Sequence, residues 1–250
     1  MKIFFPLTIL FISLMAEAFE TDRPTKTRTP FVAGVDNVIL ESEFANYGLN
    51  DEERLYTNKL FQFLIRYGLS EKSELVFSSL PYLNERTKSG REWKEKTGIS
   101  NSLLGYKYSL QNESLAIGLL PYLILPTSSA DLGSQRVAYG FSMPVAFKLP
   151  GKWGGNAMLE INNERQEENL NWQANYITTL SINHPLTKSL LGYVEIFNEK
   201  RGNELSNITT LDLALQYEVT NNVKLDAGTF IGLSPAANDE EYFIGGSFLF

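Results

Sequence analysis

The residues of this chain that could do chemistry are ionic, and they recur at alternate positions within apolar segments. Glu41 and Glu43 stand two apart in Val38-Ile39-Leu40-Glu41-Ser42-Glu43. Arg66 lies between Ile65 and Tyr67, and Lys107 between Tyr106 and Tyr108. Arg136, Glu160, Glu195 and Asp212 occupy the same kind of position. A helix would distribute such residues around its axis, whereas a strand sends every second side chain to one face. Polar groups gathered on one face need water or each other. Two chemistries fit: a hydrated surface lined by both signs of charge, or an ion-pair network that fills the same space. On facing alone, these eight residues are the candidate lining of a lumen.

Reaction chemistry is poorly supplied. The chain has one histidine and no cysteine, so thiol catalysis and cysteine metal sites are excluded. His184 precedes Pro185 in a predicted short turn and is expected to be solvated there. A Ser-His hydrolase would hold its histidine beside a nucleophile in fixed geometry. The acidic run Asn238-Asp239-Glu240-Glu241 lacks the alternating ligands and the glycine of an EF-hand loop. No glycine-rich phosphate loop is found. Catalytic residues, metal and cofactor are accordingly expected to be absent. A net charge of −7 argues against a nucleic-acid partner.

The elements that must position these charges are strands. In residues 207–219, Thr209, Leu211, Leu213, Leu215, Tyr217 and Val219 share one face, with Asp212 and Gln216 on the other. About twelve segments of this kind are predicted, near 35–47, 54–67, 74–84, 98–109, 115–125, 136–148, 155–164, 171–183, 189–199, 207–219, 223–233 and 242–250. Most have the roughly 9–11 residues that cross a bilayer at a tilt. Tight turns alternate with mostly longer charged loops at 85–97, 126–135, 199–206 and 234–241, the layout of bacterial barrels with long loops outside the cell. The expected fold is therefore all-β, a transmembrane antiparallel up-and-down barrel of about twelve strands over residues 35–250, with outer-membrane lipid as its partner. A soluble β-sandwich is the bland alternative. Pro81, Pro121 and Pro144 fall inside predicted strands, which calls for bulges or shifted boundaries.

Both termini agree with export. Lys2, the apolar run Ile3 to Met15 and Ala16-Glu17-Ala18 form a signal-peptide pattern, predicting residues 1–18 to be removed after Ala18. Residues 19–34 read as a polar periplasmic leader. The last segment places Tyr242, Ile244, Gly246, Phe248 and Phe250 on one face, which suits lipid and a closed edge.

The leader Glu20-Thr21-Asp22-Arg23-Pro24-Thr25, followed by Thr29-Pro30, Gly34 and the Glu-bearing first strand, resembles the opening of the outer-membrane family labelled "MetA-pathway of phenol degradation" or transporter. The resemblance implies an outer-membrane barrel and uptake of small, aromatic or hydrophobic compounds. Phe248 and Phe250 in Phe248-Leu249-Phe250 resemble the signal by which the barrel assembly machinery recognises its clients. Asp22 and Arg23 are expected to tuck into the periplasmic mouth of the lumen, against the alternative of a disordered tail. Two functions remain open: a passive channel for small solutes, or a closed structural barrel that displays its outer loops to a partner.

Overall fold

The computed structural model describes residues 19–51, 54–89, 91–112, 114–130, 132–165, 171–202 and 207–250. The predicted signal peptide, residues 1–18, lies outside them, as do residues 203–206 of one predicted loop. Fourteen hydrogen-bonded segments form one antiparallel sheet. They are β1 (Val38–Asn50), β2 (Leu55–Ser70), β3 (Ser73–Ser79), β4 (Tyr82–Ser89), β5 (Glu92–Gly98), β6 (Ser102–Gln111) and β7 (Leu115–Leu125). The remainder are β8 (Ala138–Lys148), β9 (Gly154–Arg165), β10 (Trp172–Pro185), β11 (Leu190–Arg201), β12 (Asn207–Thr220), β13 (Val223–Gly232) and β14 (Glu240–Leu249).

The sheet closes on itself. β1 pairs with β14, Ile39 opposite Leu249 and Tyr47 opposite Tyr242, and also with β2, Val38 opposite Tyr67. The second half of β2 pairs with β3 and its first half with β4, so β3 and β4 are two pieces of one stave. β6 and β5 run along those same two pieces and make up the next stave. Fourteen segments thus build twelve staves closed into a ring, and among the described residues only the far edge of β5 lacks a ladder partner. Among the described residues no helix is long and apolar enough to cross a membrane.

The side-chain distribution is inverted relative to a soluble domain. Phe61, Leu180 and Ile244 are 61%, 54% and 54% exposed, while Arg66, Lys107 and Glu195 are 0% exposed. Apolar groups outside and charges inside are what lipid around a polar lumen requires. Aromatic residues sit near both ends of the staves: Tyr139 packs on Trp172 with ring centroids 5.2 Å apart, and Trp153 stacks on His184 at 4.4 Å.

The prolines sit where one ladder is interrupted. Pro81 falls between β3 and β4. Pro121 drops out of the β6–β7 ladder but stays opposite Phe141 of β8. Pro144 drops out of the β7–β8 ladder but stays opposite Met158 of β9. A closed barrel therefore accommodates proline by local gaps on one side of a strand.

Three sequence expectations need correction. Of residues 85–97, expected to be a loop, 85–89 belong to β4 and 92–97 to β5. Above the membrane both faces of a strand meet water, and β5 is exposed at almost every position, so no alternation marks it. Arg136, expected to line the lumen, is exposed in the loop that precedes β8, because that strand starts at Ala138. His184, expected in a solvated turn, is half-buried at the end of β10, opposite Gly192.

Candidate functional site

The short-turn end of the barrel is occupied by the chain's own leader. Residues 19–34 rise inside the lumen from Phe19, reach an apex around Lys26 and return to Gly34. At the start, Lys224 donates to the Phe19 carbonyl at 2.6 Å and Gln216 to the Arg23 carbonyl at 3.1 Å. At the return, the Ala33 amide donates to Glu74 at 2.7 Å. Asp22 braces the two limbs, accepting from the Thr29 amide at 2.8 Å.

Wall carboxylates cap the leader's backbone. Glu41 accepts from the amides of Asp22 (3.1 Å) and Arg23 (2.8 Å). Glu195 accepts from the amides of Lys26 (2.8 Å) and Thr27 (3.0 Å), and from the Thr27 hydroxyl. A leader with no sheet partner has backbone donors to satisfy, and ionised acceptors do so with stronger bonds than neutral ones.

The charges pair in turn. Arg23 donates to Asp226 at 2.5 Å and sits 3.4 Å from Glu43. Arg66 bridges Glu41 (3.1 Å) and Glu74 (2.9 Å), and donates to the carbonyls of Glu20 and Phe31. Lys107 lies 2.9 Å from Glu74 and 3.5 Å from Asp22. Arg28 reaches Glu160 at 3.6 Å, and Tyr122 donates to the same carboxylate at 2.7 Å. An arginine fork suits this role, because it serves two carboxylates and two carbonyls from one rigid plane. Burial alone would raise the Asp22 pKa. Lys107, Arg66, Arg28 and the Thr29 amide more than offset that, and hold it below the ordinary carboxylate value. Burial would lower those of Arg23 and Arg28, but their acidic partners raise both.

The wall is cut away where the leader passes. A Cβ on Gly245 would fall on the Arg23 guanidinium, and one on Gly68 on the Gly34 carbonyl. Gly34 itself has φ +82°, the left-handed conformation that lets the chain turn from leader into β1.

The long-loop end is open. Two cavities of about 700 and 760 Å³ share Ser78, Glu199 and Arg201 and together form a vestibule. Its floor is the leader, through Arg23, Pro24, Thr25, Lys26 and Arg28. Its walls carry Glu43, Glu85, Glu199 and Glu241 with Lys59 and Arg201.

Of the sequence-predicted lining residues, the structure brings Glu41, Glu43, Arg66, Lys107, Glu160, Glu195 and Asp212 into the lumen, all but Glu43 and Glu160 nearly inaccessible to solvent, and leaves Arg136 outside it. Asp22 and Arg23 lie among them, as the tucked leader requires. Sequence reasoning missed Glu74, Lys26 and Arg28. Glu74 shares a face with Val76, opposite lipid-facing Leu75, and that spacing could have found it. Nothing local marks Lys26 and Arg28 as lumen residues, since their wall partners Asp212 and Glu160 lie more than a hundred residues away, although Arg28 also reaches Asp22 at 3.9 Å. Among the described residues there is no group of His, Cys, Asp and Glu that could hold a metal ion.

A family model described as "Putative MetA-pathway of phenol degradation" matches residues 21–250. No curated protein matches the sequence. Among solved structures, the COG4313 outer membrane channel from Pseudomonas putida F1 superposes with a TM-score of 0.66 at 13% identity, covering 92% of this chain and 100% of that one. The NanC porin gives 0.56 at 9% identity, covering 84% of this chain and 98% of the porin. The β domain of the Bordetella autotransporter BrkA gives 0.56 at 11%, covering 86% and 100%. At such identities the shared property is the outer-membrane barrel fold, which serves proteins with different tasks.

Proposed function

The chain belongs to the outer-membrane barrel family described as MetA-pathway of phenol degradation, and from that premise we propose that it is a passive outer-membrane channel for small water-soluble solutes. The vestibule carries this reading. It is polar, lined by both signs of charge, open toward the long loops and set in a cylinder that is apolar outside. The leader is the gate in this reading, and a solute passes when its apex yields. The polar lining favours hydrophilic solutes over the hydrophobic compounds that the family description suggests. Export by a signal peptide cleaved after Ala18, and assembly through Phe248 and Phe250, complete the proposal.

The filled short-turn half favours a second reading, a closed barrel that displays its loops. Planar-bilayer recording separates the two. A variant lacking residues 19–31 is expected to conduct steadily and far more than the intact protein. Silence of both proteins over many insertions, with the barrel shown to be folded, overturns the channel.

A further inference from the structure

We propose that the apex of the leader occupies an ammonium-recognition site, and that Lys26 holds it in place of a small organic cation arriving from the vestibule. The Lys26 Nζ lies 4.2 Å from the ring centre of Phe197 and 4.3 Å from that of Phe230. Two aromatic faces at this distance form a cation–π cradle, the arrangement that recognises alkylammonium ligands. Behind the rings stands Asp212, directly opposite Glu195 on the neighbouring stave. Both acids point inward and are nearly inaccessible to solvent.

Lys26 fits this site poorly. Its ammonium is 3.9 Å from Asp212, beyond hydrogen-bonding distance. Among the described residues it donates one side-chain hydrogen bond, to Thr210 at 3.2 Å. Asp212 is only 2% exposed and takes no hydrogen bond from Lys26; its polar neighbours on the wall are Thr210 and Glu195. Glu195, by contrast, is fully used by the backbone of Lys26 and Thr27. The site therefore holds a buried carboxyl group that takes no hydrogen bond from Lys26, beside two aromatic faces that bound the vestibule floor. An unattached primary ammonium can approach Asp212 as closely as its own geometry allows, whereas Lys26 is held by a backbone pinned to Glu195. The ligand class is a small alkylammonium.

A tethered competitor acts at a local concentration of order millimolar, so it masks a weak site without abolishing it. The inference deepens the channel reading, because it names the solute class that would displace the gate. It requires only that a solute reach the vestibule floor.

The test is calorimetric titration of the folded barrel in detergent with n-butylammonium, with n-butanol as the uncharged control. Lys26→Ala is expected to bind n-butylammonium about tenfold more tightly than wild type. Adding Asp212→Asn is expected to remove that gain, and n-butanol to bind neither protein. If Lys26→Ala does not fold, Lys26→Ser repeats the measurement. Equal affinity of wild type and variant, binding indifferent to Asp212→Asn, or equal binding of n-butanol would each overturn the site. The titration is independent of conductance: binding by an electrically silent barrel overturns the channel and keeps the site, and conduction without binding does the reverse.

Discussion

In the short-turn half of the lumen, Arg66, Lys107 and Glu74 are wholly buried, and each is matched by an opposite charge or a leader carbonyl. In the long-loop half, Glu85 and Glu199 border a cavity of about 760 Å³, while Lys59 pairs with Glu241 at 3.4 Å. The same residue types, sent inward by the same alternation, are structural in one half and solvent-facing in the other. What separates them is the leader, which supplies a second polar surface to one half only. Facing decides whether a charge points into the lumen, and the occupant of the lumen decides what that charge does.

The comparison breaks most severely at Arg66. Arg66→Met leaves Glu41 and Glu74 buried without their shared partner, a change that costs about 3–5 kcal/mol. The barrel should unfold at markedly lower urea, with the leader cut by protease beforehand. Unchanged urea stability would mean that water already reaches those carboxylates.

Gly245 gives a milder break. Gly245→Val pushes a side chain onto the Arg23 guanidinium and the Ser42 carbonyl of β1 without removing any charge, and overpacking of this kind costs about 1–3 kcal/mol. Leader cleavage should accelerate while the barrel itself stays folded. Equal cleavage rates would contradict the close passage of Arg23 over that glycine.

Acid sharpens the contrast through Asp22. Its pKa is depressed in the folded state, so its contribution is complete above the ordinary carboxylate pKa and is lost as pH falls through the lower folded value. The Asp22 contribution to leader protection should therefore persist down to about pH 4: Asp22→Asn should be cut faster than wild type above that pH, and the difference should vanish well below it. A difference that vanishes near pH 6 would refute this. In the vestibule the expected effect is smallest: Glu199→Gln should shift stability by no more than about 0.5 kcal/mol while changing ion selectivity.

The twelve staves were legible because lipid contact is a one-dimensional signal, repeated at every second residue. Thr209 to Val219 shows it without ambiguity. The signal stops where lipid stops. The β4–β5 hairpin is wet on both faces and reads as a loop, and extending the alternation two residues before Ala138 sent Arg136 inward by mistake. It also fails at bulges. Phe61 has φ +55° and the β1–β14 register shifts between Glu43 and Ala45, so the inward set moves from Gln62 and Leu64 to Thr57 and Lys59. Asn58 lies between these two cavity-lining residues and faces the other way. The tuck of Asp22 and Arg23 stood beside a disordered tail as an expectation for the leader, and the identities of their partners are tertiary facts that no local pattern carries.

The central claim, that the leader threads the lumen, has a direct chemical test. The Thr27 and Thr179 hydroxyls are hydrogen-bonded to each other, and the chain has no cysteine to confuse a cross-link. Thr27→Cys paired with Thr179→Cys should form an intramolecular disulfide nearly quantitatively under mild oxidation of the folded barrel in membranes. A folded barrel in which both thiols stay free would contradict the account.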